Sequence, residues 1–355
     1  MKSDVYFVKS SGNDLRHRRD ALLKLLNALG PDMPYKKDEL LPVKITIGDS
    51  ECVYHLDPEL VKIVISTLKD KKAKPFLFDT NVMYKGSRQN AVDHLTLAVN
   101  KKFSHSRIGA PFIIADGLLG LDGNTYKLDS KYIKQVKLPS FIGMTDSLVV
   151  LSHVTSHILS GFAASIKNIA MGMVSKATKQ VEHSSLKPDV IEKKCTSCGC
   201  CIKICPVDAI KASGDQKKAK IDRSICVGCG ECLSACKFDA IGINWQEDVD
   251  VFIKRISEVT KFILSKFKNT LFINFAYDIT RECDCISTKN EKIISEDIGI
   301  IASKDILSVE KATIDLMNKN EDKIFKERAE DSYKEILEYS NKIGLGNLDY
   351  NLIEL

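Results

Sequence analysis

The sequence predicts an α/β fold, with a largely parallel sheet flanked by helices and an inserted α+β module rich in cysteine. Short apolar runs alternate with segments of helical periodicity along most of the 355 residues, as is typical of α/β proteins. Runs of the same character occur on both sides of the cysteine-rich segment, which indicates an insertion into one domain. With 44% hydrophobic and 28% charged residues, the composition is that of a globular protein with a sizeable core.

Seven apolar runs are predicted as strands of this sheet. Each is short and separated from the next by a turn or a helical pattern, as expected for buried strands joined by helices. The runs span residues 5–8, 43–47, 76–78, 112–115, 148–151, 271–277 and 298–302.

Helices are predicted where apolar residues recur at intervals of three and four. Residues 60–68 and 91–99 have this pattern, and residues 249–263 form a continuous apolar seam directly after the cysteine-rich segment. Residues 321–355, rich in Lys and Glu with interspersed Ile and Leu, are expected to form a terminal helix and a tail.

Charge and hydropathy argue against two kinds of partner. The net charge is only +5, and the lysine clusters at 69–74 and 217–220 have no interleaved aromatic residues, so nucleic-acid binding is not expected. The N-terminal apolar run is too short for a signal peptide. The most apolar stretch, residues 148–173, is interrupted by histidine, lysine and asparagine, which argues against a membrane span. We therefore expect a cytoplasmic protein that binds neither nucleic acid nor membrane.

Eight of the twelve cysteines lie in two copies of one pattern. In a reducing compartment, such a dense cluster indicates metal binding rather than disulfides. The spacing C-x2-C-x2-C-x3-C occurs twice, with an offset of 31 residues. The first copy contains Cys195, Cys198, Cys201 and Cys205, and the second contains Cys226, Cys229, Cys232 and Cys236.

This spacing suits a pair of 4Fe-4S clusters. Three thiolates at intervals of three residues wrap one corner of a cubane, while the fourth cysteine of each copy faces the other cluster. A zinc site usually joins two separated C-x2-C knuckles, so zinc is the weaker interpretation. The crossed pairing predicts that cluster binding and folding are coupled. It assigns Cys195, Cys198, Cys201 and Cys236 to one cluster, and Cys226, Cys229, Cys232 and Cys205 to the other.

Residues 187–244 resemble bacterial two-cluster ferredoxins. The resemblance divides the chain into a first α/β part (1–186), the ferredoxin-like module and a second α/β part with C-terminal helices (245–355). The module departs from the ferredoxin pattern at Lys237, which follows the last cysteine where proline is usual. Cys200 is an additional thiol, and we do not expect it to bind a cluster.

Reactive side chains follow several of the predicted strands. Because ligands of open parallel sheets bind outside the carboxyl ends of the strands, these side chains are expected to meet at one edge. They are Asp79, Asn81, Asp116, His153, His157, Asp278, Arg281, Cys283 and Cys285.

Several chemistries are open to this second site. On a helix, the i, i+4 spacing of His153 and His157 would place both imidazoles on one face, as metal ligands often are. Cys283 and Cys285 could bind a soft metal, form a redox pair or be two inert buried cysteines. His183 is a further candidate ligand. The small residues before Lys167 suggest a helix start that binds an anion.

Strings along most of the chain resemble the iron–sulfur centre proteins of the domain-of-unknown-function 362 family. The resemblance implies an α/β domain that carries 4Fe-4S clusters, and it names no reaction. Family members often have glycine where Ala163 and Ala164 stand. The strings are DTNVMYKGSRQNAVDH (79–94), GAPFIIADGL (109–118), SHVTSHILSGFAASIKNIAMGM (152–173), ECDC (282–285) and DIGIIASKD (297–305).

The favoured function is an iron–sulfur redox protein, an oxidoreductase of unknown substrate. Two clusters would exchange electrons with a substrate, an additional metal or another small ligand, with His153, His157, Asp116 and Lys167 as candidate catalytic residues. The alternative is a ferredoxin-type electron carrier whose α/β domain docks a redox partner protein. A third interpretation is structural or regulatory, with clusters that stabilise the fold or sense oxygen.

Overall fold

The computed structural model describes most of the chain. Within the described residues, none of the helices has the length and apolar character needed to cross a membrane. The described ranges are 2–10, 12–30, 33, 35–83, 86–157, 159–183, 188–205, 207–226, 232, 235–238, 240–242, 249–285, 292–320 and 332–355.

Fifteen strands occur in the described residues, and nine of them form one large sheet. The strands are β1 (Ser3–Lys9), β2 (Leu40–Lys44), β3 (Lys74–Asp79), β4 (Phe112–Ile114), β5 (Asn124–Lys127), β6 (Gln135–Leu138), β7 (Ser147–His157), β8 (Gly161–Ala163), β9 (Asp189–Val190), β10 (Ile210–Ser213), β11 (Lys218–Ile221), β12 (Ile241–Gly242), β13 (Asn269–Thr280), β14 (Gly299–Ser303) and β15 (Tyr350–Glu354).

The large sheet is mostly parallel, as predicted. Its order is β15-β1-β14-β13-β7-β2-β3-β4, with β8 paired to β7. β13, β7, β2, β3 and β4 form a parallel block, and β15 is parallel to β1. β14 runs antiparallel to both its neighbours, and β8 runs antiparallel to β7.

The helices begin where the sequence provides capping residues. Asp14, Asp57 and Asn90 each accept a backbone N–H of the first turn that follows them, which satisfies donors that a helix leaves unpaired. The helices are α1 (Leu15–Leu29), α2 (Pro58–Asp70), α3 (Ala91–Asn100), α4 (His105–Ile108), α5 (Ser165–Ala170), α6 (Lys176–His183), α7 (Cys200–Ile204), α8 (Val249–Leu264), α9 (Ile306–Asn320) and α10 (Ser332–Lys342).

Both faces of the sheet are covered. On β7, Val149 and Leu151 pack with α1 and α2 in one apolar cluster, whereas Leu148 and Val150 pack with α5, α8, α9 and α10 in the other. Consecutive side chains of a strand point to opposite faces. A strand buried on both faces is therefore a continuous apolar run, which is why the central strands were readable from sequence.

All seven predicted strands are present, but β7 is longer than expected. Its residues pair with β13 on one side and with β8 on the other. His153 and His157 therefore lie on this strand, and the helical spacing considered for them is wrong. The sequence analysis also missed β15, which pairs with the edge strand β1, because a short terminal strand has little apolar patterning of its own.

The described part of the cysteine-rich segment forms two small strand pairs. β9 pairs with β12, and β10 pairs with β11 in a hairpin. Their small core includes Ile210, Ile221 and Ile241 together with the buried Cys201 and Cys232.

Candidate functional site

A cleft of about 710 Å³, partly open to solvent, lies beyond the carboxyl ends of β2, β3, β7 and β13. This is the position at which open α/β sheets bind ligands. Six residues singled out from sequence line it: Asp79, His153, Lys167, His183, Cys283 and Cys285.

Lys167 and two thiols form a close cluster in the cleft. The Nζ of Lys167 lies 2.7 Å from the Sγ of Cys283 and 3.3 Å from the Sγ of Cys285. The two sulfurs are 2.9 Å apart, with Cys283 donating to Cys285, and they form no disulfide. That hydrogen bond, with further help from the Lys167 ammonium, overcomes burial and lowers the pKa of Cys285 to about 6. The same contact and burial raise the pKa of Cys283.

His153 is held as an imidazolium. Its Nδ1 lies 2.9 Å from Oδ1 of Asp284, and its Nε2 lies 2.8 Å from the carbonyl oxygen of Tyr277. Both acceptors require N–H donors, so both ring nitrogens carry protons. Burial alone would disfavour the charge, but the Asp284 carboxylate outweighs it and raises the pKa of His153 to about 9. His153 therefore has no lone pair to offer a metal.

Buried ion pairs support the floor of the cleft. Lys44 contacts Asp79 at 3.0 Å and donates to Oδ1 of Asn168 at 2.6 Å. Arg88, only 2% exposed, lies 3.4 Å from Asp49 and donates to the carbonyl oxygen of Asp284 at 3.1 Å. Buried charges of this kind need such partners. Through its bond to Asp284, Arg88 orients the segment that carries the thiols.

Several predicted residues lie outside the cleft lining. The Nδ1 of His157 accepts the backbone N–H of Ser160 and lies 2.7 Å from the hydroxyl oxygen of the same residue. Burial, reinforced by the charge of Lys167, holds the pKa of His157 well below its usual range, so the ring is neutral and secures the turn between β7 and β8. Asp116 accepts the backbone and side-chain N–H groups of Asn81, and burial raises its pKa to about 6.

Two further predicted residues have structural contacts. The carboxylate of Asp278 accepts a hydrogen bond from the guanidinium group of Arg18 at 2.6 Å, and Arg18 also forms an ion pair with Asp297. The backbone N–H of Arg281 donates to Lys292. Neither Asp278 nor Arg281 is a lining residue. His183 lines the cleft and stacks on Phe252, with ring centroids 5.2 Å apart.

The cysteine-rich segment has a second cavity, partly open to solvent, with about 400 Å³ of space. Cys195, Cys198 and Cys201 of the first repeat line it, and so do Cys236 of the second repeat and the additional thiol Cys200. Burial raises the pKa of Cys201, and so do the neighbouring charges of Cys236, Cys195 and Cys198, in that order. These four cysteines are the set that the sequence assigns to one cluster.

Backbone N–H groups point at the fourth cysteine of each repeat. The N–H of Ala209 donates to the Sγ of Cys205 at 3.2 Å, and that of Ala240 donates to the Sγ of Cys236 at 3.3 Å. Such bonds stabilise thiolates. Cys226 and Cys232 contribute to the small core, whereas Cys229 lies outside the described residues.

Neither site is a preformed cage for a single metal ion. Across the ranges that the structure describes, His, Cys, Asp and Glu side chains form no group of three or more suited to one ion. The thiols that line the second cavity are the ligand type by which iron–sulfur clusters are held.

The family comparison matches residues 42–315 to the family described as domain of unknown function (DUF362). The chain belongs to the DUF362 family. The match includes the thiol segment, the two histidines of β7 and the cysteine repeats. No curated protein matches the chain.

Two solved structures are distantly similar to this DUF362 protein. One is a protein from Thermotoga maritima, with 10% identity and a TM-score of 0.41 over 92% of this chain and 59% of the other. The second is the lactate racemase apoprotein from Thermoanaerobacterium thermosaccharolyticum, with 11% identity and a TM-score of 0.38 over 78% and 51% of the two chains. This chain thus spans little more than half the length of either.

Sequence reasoning missed several charged residues at the site. Lys44 and Asp284 could have been found from the sequence. Lys44 interrupts the apolar run 43–47 and Asp284 lies between two cysteines, and both are unusual places for a charged residue. Arg88 and Lys179 lie in ordinary polar segments, and only the tertiary structure brings them to the cleft.

Proposed function

We propose that this protein is an iron–sulfur redox protein that binds two 4Fe-4S clusters in residues 187–244 and exchanges electrons with a substrate held in the cleft of the α/β domain. The observation that carries the proposal is that Cys195, Cys198, Cys201 and Cys236 line one cavity, which Cys200 also lines. A cysteine from the second repeat completes the set of the first, as in a crossed pair of cubane clusters.

The residues fit such a cluster. The four cysteines would hold the first cluster, and Cys205 with the second repeat would hold the other. When bound, a 4Fe-4S cluster supplies reversible one-electron chemistry. The chain contributes N–H donors toward Cys205 and Cys236, which would favour the thiolate form that iron requires.

The cleft favours a redox enzyme over an electron carrier. A carrier needs only a docking surface, whereas this cleft contains a buried lysine against two thiols and an imidazolium against a carboxylate. Perturbed ionisable groups that converge on one cavity are typical of reactive sites. The thiols and Lys167 are the groups that would meet a substrate, while Asp284 and Arg88 would hold them in position.

The test is metal content and spectroscopy of the full chain purified without oxygen. We expect about eight iron atoms per chain, with the absorption and electron paramagnetic resonance of reduced 4Fe-4S clusters. The Cys236→Ser variant should lose about half of the iron, because it removes a ligand from one cluster only. Cys200→Ser is the matched control, and its iron content should equal that of the wild type.

Two results would overturn the proposal. One is about two zinc atoms per chain with little iron, which would indicate tetrahedral zinc sites. The other is an unchanged iron content in Cys236→Ser, because the crossed arrangement requires that thiolate.

A further inference from the structure

Cys283 and Cys285 are arranged for bond formation between their sulfurs. The Sγ atoms are 2.9 Å apart, and a disulfide bond of about 2.05 Å would need them to approach by less than one ångström. The backbone N–H of Cys285 donates to the Sγ of Cys283 at 3.3 Å, so the local turn itself holds the two side chains together.

Lys167 makes one of these thiols a nucleophile. Its ammonium group lies within 3.3 Å of both sulfurs, and Lys167 is buried together with Cys283, while Cys285 is half-buried. A buried cation stabilises the thiolate, which is the reactive form in thiol–disulfide exchange. Two inert cysteines would leave the ammonium group without a countercharge, and burying an unpaired charge is costly.

The same geometry argues against a metal at this pair. Lys167 places a positive charge where a metal cation would bind. On β7, His153 donates from both ring nitrogens to Asp284 and Tyr277, and the Nδ1 of His157 accepts the backbone N–H of Ser160. The pair therefore has a cationic partner, and the Nδ1 of each β7 histidine is already engaged in a hydrogen bond.

We propose that Cys283 and Cys285 form a dithiol–disulfide redox centre that reduces a small disulfide substrate in the cleft. The Cys285 thiolate attacks one sulfur of the substrate, the substrate S–S bond breaks and the first product leaves as a thiolate. The sulfur of Cys283 then attacks Cys285, releasing the second product, which takes the proton of Cys283. The substrate gains two electrons, and the protein gains one disulfide.

This inference gives the proposed function its second redox centre, and it concerns residues of the α/β domain alone. The full chain, purified without oxygen, is equilibrated in mixtures of reduced and oxidised glutathione, then alkylated and digested with trypsin. The peptide 282–289, between Arg281 and Asn290, contains both thiols and none of the eight cluster cysteines. Its mass reports the redox state of the pair directly.

As oxidised glutathione increases, we expect a single reversible transition between two forms of the peptide. The reduced form carries two alkyl groups, whereas the disulfide form carries none and is two hydrogen atoms lighter than the free dithiol. In Cys283→Ser the transition should be absent, and Cys285 should instead retain glutathione as a mixed disulfide. Cys52→Ser is the matched control, because Cys52 contacts the same segment through the carbonyl oxygen of Asp284. In this variant, peptide 282–289 should show the same redox transition as in the wild type.

The inference fails if the pair remains a dithiol in oxidised glutathione alone. It also fails if native mass spectrometry finds a metal that must be removed before both thiols react with the alkylating reagent. Iron counted in the same samples separates the two proposals. A normal iron content with an unreactive pair overturns only the dithiol centre, whereas a reversible pair without iron overturns only the cluster assignment.

Discussion

At the scale of single residues, the cleft owes its chemistry to burial combined with one or two specific partners. His153 and His157 lie four residues apart on one strand, yet their protonation differs. Asp284 raises the pKa of His153, whereas burial lowers that of His157, which has Ser160 as its partner. Residue type and spacing therefore say little about protonation, because an imidazole responds to whichever group its ring nitrogens face.

The thiolate of Cys285 gives a prediction about Lys167. In Lys167→Met the midpoint of the pH profile for alkylation of Cys285 by iodoacetamide should rise by about one to two pH units. The ionisable groups that act on the pair are Lys167, Arg88 and the neutral His157, and of these only Lys167 donates to both sulfurs. Mass spectrometry of peptide 282–289 measures the rate.

Lys179→Met is the control for that change. Lys179 is buried and lines the same cleft, but its ammonium group donates to three oxygens, those of Thr80, Asn81 and Val174. The profile of this variant should keep the wild-type midpoint. An equal shift in both variants would mean that general loss of positive charge, rather than the Lys167 contact, controls the thiol.

At the scale of elements, a short helix positions the reactive lysine. α5 has six residues, and Ala164, at its N-cap, has no side chain that can accept a hydrogen bond. Glu310 of α9 takes that role and accepts the backbone N–H of Ile166 at 3.1 Å. The sequence analysis expected this helix start to bind an anion, and the structure places the carboxyl group of Glu310 there instead.

The buried carboxyl group of Glu310 should make the free energy of unfolding depend on pH. Burial, partly offset by the N–H donors of Ile166 and Ser165, raises the pKa of Glu310 from 4.5 to about 8. Between those values the folded chain holds a proton that the unfolded chain has lost, so this group lowers stability as pH rises through the window, by at most about 1.4 kcal/mol per pH unit.

Glu310→Gln tests this directly, because it keeps an acceptor for Ile166 and removes the titration. The free energy of unfolding in urea, measured at about pH 5 and about pH 7.5, should fall less with pH in the variant than in the wild type. Parallel pH profiles for the two proteins would contradict the assignment. Other groups that titrate in this range, such as His153 and Cys285, are common to both proteins and cancel in the comparison.

At the scale of the whole molecule, the two regions have cores of very different size. The large sheet is buried between two extensive apolar clusters, whereas the core of the described cysteine-rich residues has only a few aliphatic side chains besides its cysteines. A unit with so small a core usually depends on a metal or on disulfides for its stability. We expect the proposed clusters to be the main stabilising element there.

Removal of iron should therefore affect the two regions differently. After anaerobic chelation, amide hydrogen exchange in β10 and β11 should accelerate by at least about tenfold, while exchange in β7 and β13 should stay the same. Comparing the chelated and loaded forms of Cys200→Ser provides a parallel measurement with one non-ligand thiol removed. Unchanged exchange in the β10–β11 hairpin would mean that the fold of this segment does not require metal.

The central strands of the sheet and the cysteine pattern could be read from the sequence alone. The central strands are buried on both faces and are therefore continuous apolar runs. The cysteine repeats are defined by their spacing along the chain. Each of these signals comes from residues that are close together in the sequence. The tertiary structure alone decided which reactive groups meet. Lys167 lies 116 residues from Cys283, and His153 lies 131 residues from Asp284. Periodicity reports local burial, whereas contacts over such distances depend on strand order and register, which local pattern does not encode.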